Sequence, residues 1–168
     1  DVWPDHPDVL GGIDLQEKGT WLGVTRRGKF AAITNYRNPA SWKSSAPSRG
    51  KLVSDYLISD VTAQSYIEKV SAGSQIYNGF NLLAGDENDM WFYSNRGLAQ
   101  KLKPGLYGLS NHQLDTPWPK VQRGKRLLKK ALEKKGDNLE EALLSLLSDR
   151  HVPSDEQLPD TGVTQEWE

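Results

Sequence analysis

Two pairs of short, β-leaning runs, each doubled back about a tight polar turn, limit what this chain can fold into. Thr20-Trp21-Leu22-Gly23-Val24-Thr25 and Phe30-Ala31-Ala32-Ile33-Thr34 flank Arg27-Gly28-Lys29. Phe80 to Ala84 and Met90 to Ser94 flank Gly85-Asp86-Glu87-Asn88-Asp89. Apolar runs of this length around Gly-containing turns are hairpin signals. Between the hairpins the period changes. Leu52, Val53, Tyr56 and Leu57 recur at helical spacing, and Tyr66, Ile67 and Val70 follow Thr62, an N-cap residue type. Hairpins and helices in separate blocks predict antiparallel sheet and the α+β class.

The flanks are less regular. Residues 1–19, with Pro4, Pro7 and Gly11-Gly12, are predicted to be loop. Residues 98–103 and 105–110 read as a further strand pair pinched at Pro104-Gly105. After Pro117-Trp118-Pro119, the apolar residues Val121, Leu127, Leu128, Ala131 and Leu132 predict a helix stopped by Gly136. Asn138 is predicted to cap a last helix carrying Leu139, Leu143, Leu144, Leu146 and Leu147. The expected layout is one domain over 1–168: loop 1–19, sheets with two helices 20–111, helices 118–148 and an acidic tail 149–168.

Composition removes several functions. The 21 Lys and Arg balance 22 Asp and Glu, which argues against a charge-driven nucleic-acid binder. The chain has no cysteine, so it holds no disulfide framework, thiolate metal site or Cys nucleophile of its own. No apolar run approaches the roughly 18–20 residues of a transmembrane helix, and no basic-then-apolar start reads as a signal peptide. A cytoplasmic location is the expectation.

Three groups of residues bear on chemistry. His6, His112 and His151 lie in separate loop regions, so no metal site is expected. Residues 120–135 are strongly basic, and the sign flips from Asp137 onward. This reads as a solvated face beside an acidic neighbour, or as a site for a ligand's phosphate or carboxylate or a weak contact for an anionic surface through Lys125, Arg126, Lys129 and Lys130. The third group is asparagine. Asn35 and Asn95 end predicted strands, Asn78 and Asn81 flank Gly79-Phe80, and Asn111 closes Gly108-Leu109-Ser110-Asn111. Each is a favoured turn residue. An amide at a strand end is also a donor for a developing oxyanion, worth roughly 3–4 kcal/mol in acyl transfer.

Several stretches together resemble the NRDE family, which is the transport and Golgi organization protein 2 family. They are Gly19-Thr20-Trp21-Leu22-Gly23-Val24-Thr25, Ala32-Ile33-Thr34-Asn35-Tyr36-Arg37, Ser48-Arg49-Gly50, Tyr77-Asn78-Gly79-Phe80-Asn81-Leu82-Leu83, Tyr93-Ser94-Asn95-Arg96, Gly108-Leu109-Ser110-Asn111 and Leu114-Asp115-Thr116-Pro117-Trp118-Pro119-Lys120. The resemblance spans residues from about 11 to about 148. It implies an N-terminal-nucleophile (Ntn) hydrolase-like αββα sandwich, with two stacked antiparallel sheets flanked by helices. In such folds the first residue of the mature chain supplies both nucleophile and base.

By that resemblance Asn35 and Asn111 are the oxyanion-side candidates, and Thr20, Trp21, Arg37 and His112 are candidates for lining the same cleft. The family begins with a Met-Cys segment and an Asn-Arg-Asp-Glu motif ahead of the equivalent of Asp1, and it continues past the equivalent of Glu168. The chain is therefore expected to be an internal portion, incomplete at both ends, of a longer protein that supplies the nucleophile. Asp1 has no thiol or hydroxyl to replace it. The implied ligand is a small-molecule amide or acyl compound. The alternative is a carrier of haem, with His112 as axial ligand, or of a lipid or acyl-CoA, with no catalysis.

Overall fold

At Gly28 the backbone takes φ +79°, which a Cβ disfavours, and there the chain doubles back. The turn is closed by Thr25 N–H donating to the Lys29 carbonyl at 2.8 Å. It joins β3 (Leu22–Thr25) to β4 (Phe30–Asn35) as the first predicted hairpin. The second joins β5 (Phe80–Gly85) to β6 (Met90–Ser94). The computed structural model describes residues 2–133 and 138–164. With β1 (Val2–Trp3), β2 (His6–Gly11) and β7 (Gln100–Leu102), these strands make one seven-stranded antiparallel sheet in the order β1 to β7.

Alternation along the strands fixes the core. Val9, Ala31, Ile33, Leu82, Ala84 and Tyr93 are buried in one cluster with the helices α1 (Gly50–Ile58) and α2 (Ala63–Gly73). From α1 come Leu52, Val53, Tyr56 and Leu57, and from α2 come Tyr66, Ile67 and Val70. Fully burying such a side chain contributes about 1.5–3 kcal/mol. The two buried phenols still find acceptors, Tyr56 at the Gly85 carbonyl and Tyr66 at the Leu52 carbonyl, each at 2.8 Å. Burial raises both hydroxyls above the ordinary tyrosine value, so they stay protonated donors. Thr62 caps α2, its hydroxyl accepting from Ser65 N–H at 3.2 Å.

The α+β class holds, and two sequence expectations are corrected. The expected 1–19 loop contains β1 and β2. Pro7 is compatible with this because β2 pairs with β3 only over Val9–Gly11, past the residue that lacks an N–H. The expected strand at 105–110 does not form. Its backbone is held instead by Asp115, whose carboxylate accepts from Gly108 N–H at 2.8 Å and whose N–H donates to the Gly108 carbonyl at 2.8 Å. Of the expected pair of stacked sheets, the described residues form one. Every strand pairs with its neighbour in sequence, so none leaves to start a second layer. On the face opposite the helices, Leu10, Leu22 and Val24 at the β2–β3 end are exposed.

The chain forms two compact units. The first runs to Pro104 and includes Asn111–Gln113, and the second comprises Gly105–Ser110 and the chain from Leu114. The second unit holds α3 (Pro119–Glu133) and α4 (Leu139–Leu147), packed on each other, with Arg123 pairing with Asp149 at 2.5 and 2.9 Å. The predicted stop at Gly136, with Asp1, Lys134, Lys135, Asp137, Glu166 and Glu168, lies outside the described residues. Among the described residues no helix is long and apolar enough to cross a membrane.

Candidate functional site

The β4–β5 ladder ends at the pair Asn35–Phe80, and Tyr36 N–H continues it by one bond to the Gly79 carbonyl at 3.0 Å. The chain then leaves the sheet through Arg37-Asn38 and a single 3-10 turn at Pro39–Ser41. A cleft of about 600 Å³ opens at this strand end. Asn35, Tyr36, Arg37 and Asn111 line it together with Trp42, Arg49, Asn78 and Gly79.

The asparagines divide by what their amides touch. Asn78 holds the 39–46 loop, accepting from Lys43 N–H at 2.8 Å and donating to the Lys43 carbonyl at 2.9 Å. Asn95 accepts from Phe80 N–H at 2.9 Å and donates to the Asn78 carbonyl at 3.2 Å. Asn81 is fully buried and donates to Thr34 Oγ1 at 3.1 Å and to the His112 carbonyl at 2.8 Å. The amides of Asn78 and Asn95 are occupied at both ends, whereas Asn81 commits its Nδ2 and leaves Oδ1 buried with no hydrogen-bond partner among the described residues, away from the cleft. Asn35 differs among the residues that line the cleft, because its Oδ1 is buried with no hydrogen-bond partner among the described residues. Buried amide oxygens are rarely left so, and such a group calls for an explanation.

Asn111 is brought to the same place. Its Nδ2 donates to the Asn35 carbonyl at 3.1 Å, and its own carbonyl accepts from Arg37 N–H at 2.7 Å. His112 stands beside it with Nε2 2.8 Å from the Tyr36 hydroxyl and the two rings 4.9 Å apart. Thus Asn35, Arg37 and Asn111 share the cleft, and His112 adjoins it through Tyr36.

Thr20 and Trp21 do not line this cleft. They border a separate hollow of about 410 Å³ with Gly12, Ile13, Asp14 and Leu22. Thr20 is buried, with its hydroxyl on the Leu22 carbonyl at 3.0 Å and its N–H on the Gly50 carbonyl at 3.2 Å. Its N–H ties the entry of β3 to the start of α1, and its hydroxyl is spent locally on the first residue of β3. Trp21 approaches the cleft residue Arg49, whose guanidinium carbon lies 5.9 Å from the Trp21 ring and 5.9 Å from the Trp42 ring.

Arg49 and Tyr36 are cleft residues that the spacing of apolar positions does not single out. Their signal lies in position: Tyr36 follows a strand-end Asn, and Arg49 immediately precedes a helix. Arg49 Nη1 donates to the Gly79 carbonyl at 3.0 Å, and burial pushes the guanidinium below the ordinary arginine value. No Asp or Glu lines the cleft among the described residues, so Arg37 and Arg49 give it a positive potential.

The basic helix is partly neutralised. Lys125 pairs with Asp115 at 2.6 Å, and Lys129 lies 4.0 Å from Glu133. Arg126 and Lys130 border hollows between α3 and the chain that follows it. Among the described residues no group of three or more His, Asp or Glu side chains is placed to hold a metal.

Over residues 1–168 the sequence matches the family described as Transport and Golgi organisation 2. It is 42% identical over 173 residues to the Transport and Golgi organization protein 2 homolog of Bos taurus. It is 41% identical over 174 residues to the Transport and Golgi organization protein 2 homolog of Homo sapiens. It is 40% identical over 173 residues to the Transport and Golgi organization 2 homolog of Mus musculus. Each match takes in 97% of this chain and 62% of the relative, so the chain spans less than two thirds of the length of these curated relatives. The strand-end residues of the cleft fall within a match that runs the full length of the sequence, and the chain belongs to the Transport and Golgi organisation 2 family.

Proposed function

We propose that the cleft is the carbonyl-binding half of an amide or acyl hydrolase site of the N-terminal-nucleophile type. The nucleophile is a thiolate from a part of the longer protein outside this chain. The observation that carries this reading is the Asn35 amide, set at an open strand end with its oxygen buried and unpartnered among the described residues. With Oδ1 turned inward, the Nδ2 donors are the side of the amide offered to a ligand.

In this mechanism the thiolate forms a bond to the carbonyl carbon, and the C=O electron pair moves onto oxygen. Asn35 Nδ2 donates to that oxygen as its charge develops. The tetrahedral centre then collapses, breaking the bond to the amine or alcohol, which leaves with the proton that the nucleophile's own α-amine took from the thiol; water, giving a proton to the same amine, attacks the thioester carbon, and the carbon–sulfur bond breaks to release the acid and return the thiol. Asn111 is a positioning residue, because its bond to the Asn35 carbonyl fixes the strand end from which Asn35 works. A fixed donor matters more than a mobile one, since it need not reorganise during the reaction.

The haem alternative draws on His112, but Nε2 is already bonded to the Tyr36 hydroxyl. An iron at that nitrogen would displace this bond, which makes the haem carrier the second reading beside the acyl site.

The test uses the full-length protein and a panel of short- and medium-chain p-nitrophenyl esters and acyl p-nitroanilides. Asn35→Ala is expected to lower kcat about 10²–10³-fold with KM little changed, the signature of a lost transition-state donor. Equal kcat in the two proteins, or no turnover of any panel member by the wild type, contradicts the proposal.

A further inference from the structure

We infer that the ligand of this cleft carries an oxyanion, a carboxylate or a phosphate, and that Arg49 holds it. The inference rests on the acyl-site reading for the rest of the ligand, whereas the anion contact stands on the surroundings of Arg49.

A guanidinium presents five N–H donors in one plane. Nη1 of Arg49 is given to the Gly79 carbonyl at 3.0 Å. The Trp21 and Trp42 rings, each 5.9 Å from the guanidinium carbon, attract the cation through their faces but accept none of its N–H groups in the plane. Arg27 is paired with Asp8 and Asp60, and Arg123 with Asp149, but Arg49 has no carboxylate partner among the described residues. A half-buried cation without a counter-ion carries a desolvation cost that a bound anion offsets.

The cleft favours such a ligand in two further ways. Arg37 lines it and no acid does, among the described residues. Trp42, 65% exposed, adds an apolar wall beside the charge. The planar fork of arginine matches a carboxylate or a phosphate with two parallel bonds, which an ammonium cannot do. Together these select an acyl compound with hydrocarbon near Trp42 and a negative group at Arg49.

The test is direct binding to the full-length protein by calorimetry, with no turnover required. The probes are N-octanoylglycine, its methyl ester, which keeps the shape and removes the charge, and octyl phosphate. At least one anion is expected to bind about tenfold or more tightly than the ester, in line with a charge-assisted pair. Which anion binds more tightly identifies the group. Arg49→Gln, which keeps an N–H for the Gly79 carbonyl, is expected to abolish the preference, read as the ratio of anion to ester affinity within the same variant. Arg49→Lys is expected to keep only part of it. Equal binding of acid, phosphate and ester to the wild type, no binding of either anion, or a preference that survives in a folded Arg49→Gln overturns the inference. An unchanged kcat in Asn35→Ala with the anion preference intact removes the hydrolase reading alone, and intact hydrolysis without the preference removes only the anion site.

Discussion

Asn111 donates its side-chain amide to the backbone carbonyl of Asn35 at 3.1 Å, across a sequence separation of 76 residues. Arg37 N–H returns a bond to the Asn111 carbonyl at 2.7 Å, so the segment after β4 is clamped from both sides. Asn111→Ala removes one of these bonds and leaves the Asn35 carbonyl without that donor. It is expected to lower stability by about 1 kcal/mol in urea titrations of the full-length protein. Its effect on kcat is expected to be smaller than that of Asn35→Ala, because it acts through position.

Lys29 is a second clamp, remote from the cleft. Its ammonium is buried and donates to the Ser59 carbonyl at 2.7 Å and the Val61 carbonyl at 2.8 Å, and it sits 4.4 Å from the centre of the Tyr56 ring. It gathers the chain after α1 under the β3–β4 turn. Lys29→Met keeps the stem and leaves the part-buried Ser59 and Val61 carbonyls without this donor. A loss of about 2–3 kcal/mol in urea unfolding is expected.

Gly19 lies against the start of α1. A Cβ there would stand 2.5 Å from the Gly50 carbonyl carbon and 2.7 Å from Lys51 N, both of them backbone atoms that cannot rotate away. Gly19→Ala is therefore expected to push α1 outward, at a cost of about 1–3 kcal/mol. Because Arg49 immediately precedes that helix, the same variant is expected to weaken octyl phosphate or N-octanoylglycine binding. Thermal melts and calorimetry read the two effects separately.

Asp86 ties the β5–β6 turn to α2, accepting from Ala63 N–H at 2.8 Å and from Asn88 and Asp89 N–H at 3.0 and 3.1 Å. Burial pulls its pKa up, but these three bonds and the nearby Lys29 cation outweigh it and hold the group below 3.8. A carboxyl depressed in the folded state stabilises the fold above its unfolded value and loses that contribution as pH falls through the folded value. The loss is therefore expected below about pH 4. Melting temperature is expected to fall more steeply over that range in the wild type than in Asp86→Asn.

Much of the first unit is legible in the sequence because its signals are local. Gly28 marks a turn that needs positive φ, and the runs on either side of it alternate at the strand period. Thr62 caps the helix it precedes, through its own hydroxyl. The misses come from interactions that spacing does not reveal. The Val9–Gly11 stretch becomes a strand because β3 offers it a partner, despite Pro4, Pro7 and Gly12 around it. Residues 105–110 fail to become one because Asp115 claims the Gly108 N–H. In the cleft, Asn35, Arg37 and Asn111 are legible from strand ends and resemblance, while Arg49 joins them only through tertiary packing against Trp21 and Trp42.

The most direct measurement compares how tightly the full-length protein and its Asn35→Ala variant bind a medium-chain acyl aldehyde and the corresponding alcohol. The aldehyde captures a thiolate and presents a tetrahedral oxyanion, and the alcohol presents none. Aldehyde affinity is expected to fall about 10²–10³-fold in the variant with alcohol affinity unchanged. Equal losses for both compounds, or no loss for either, would show that Asn35 does not hold the oxyanion.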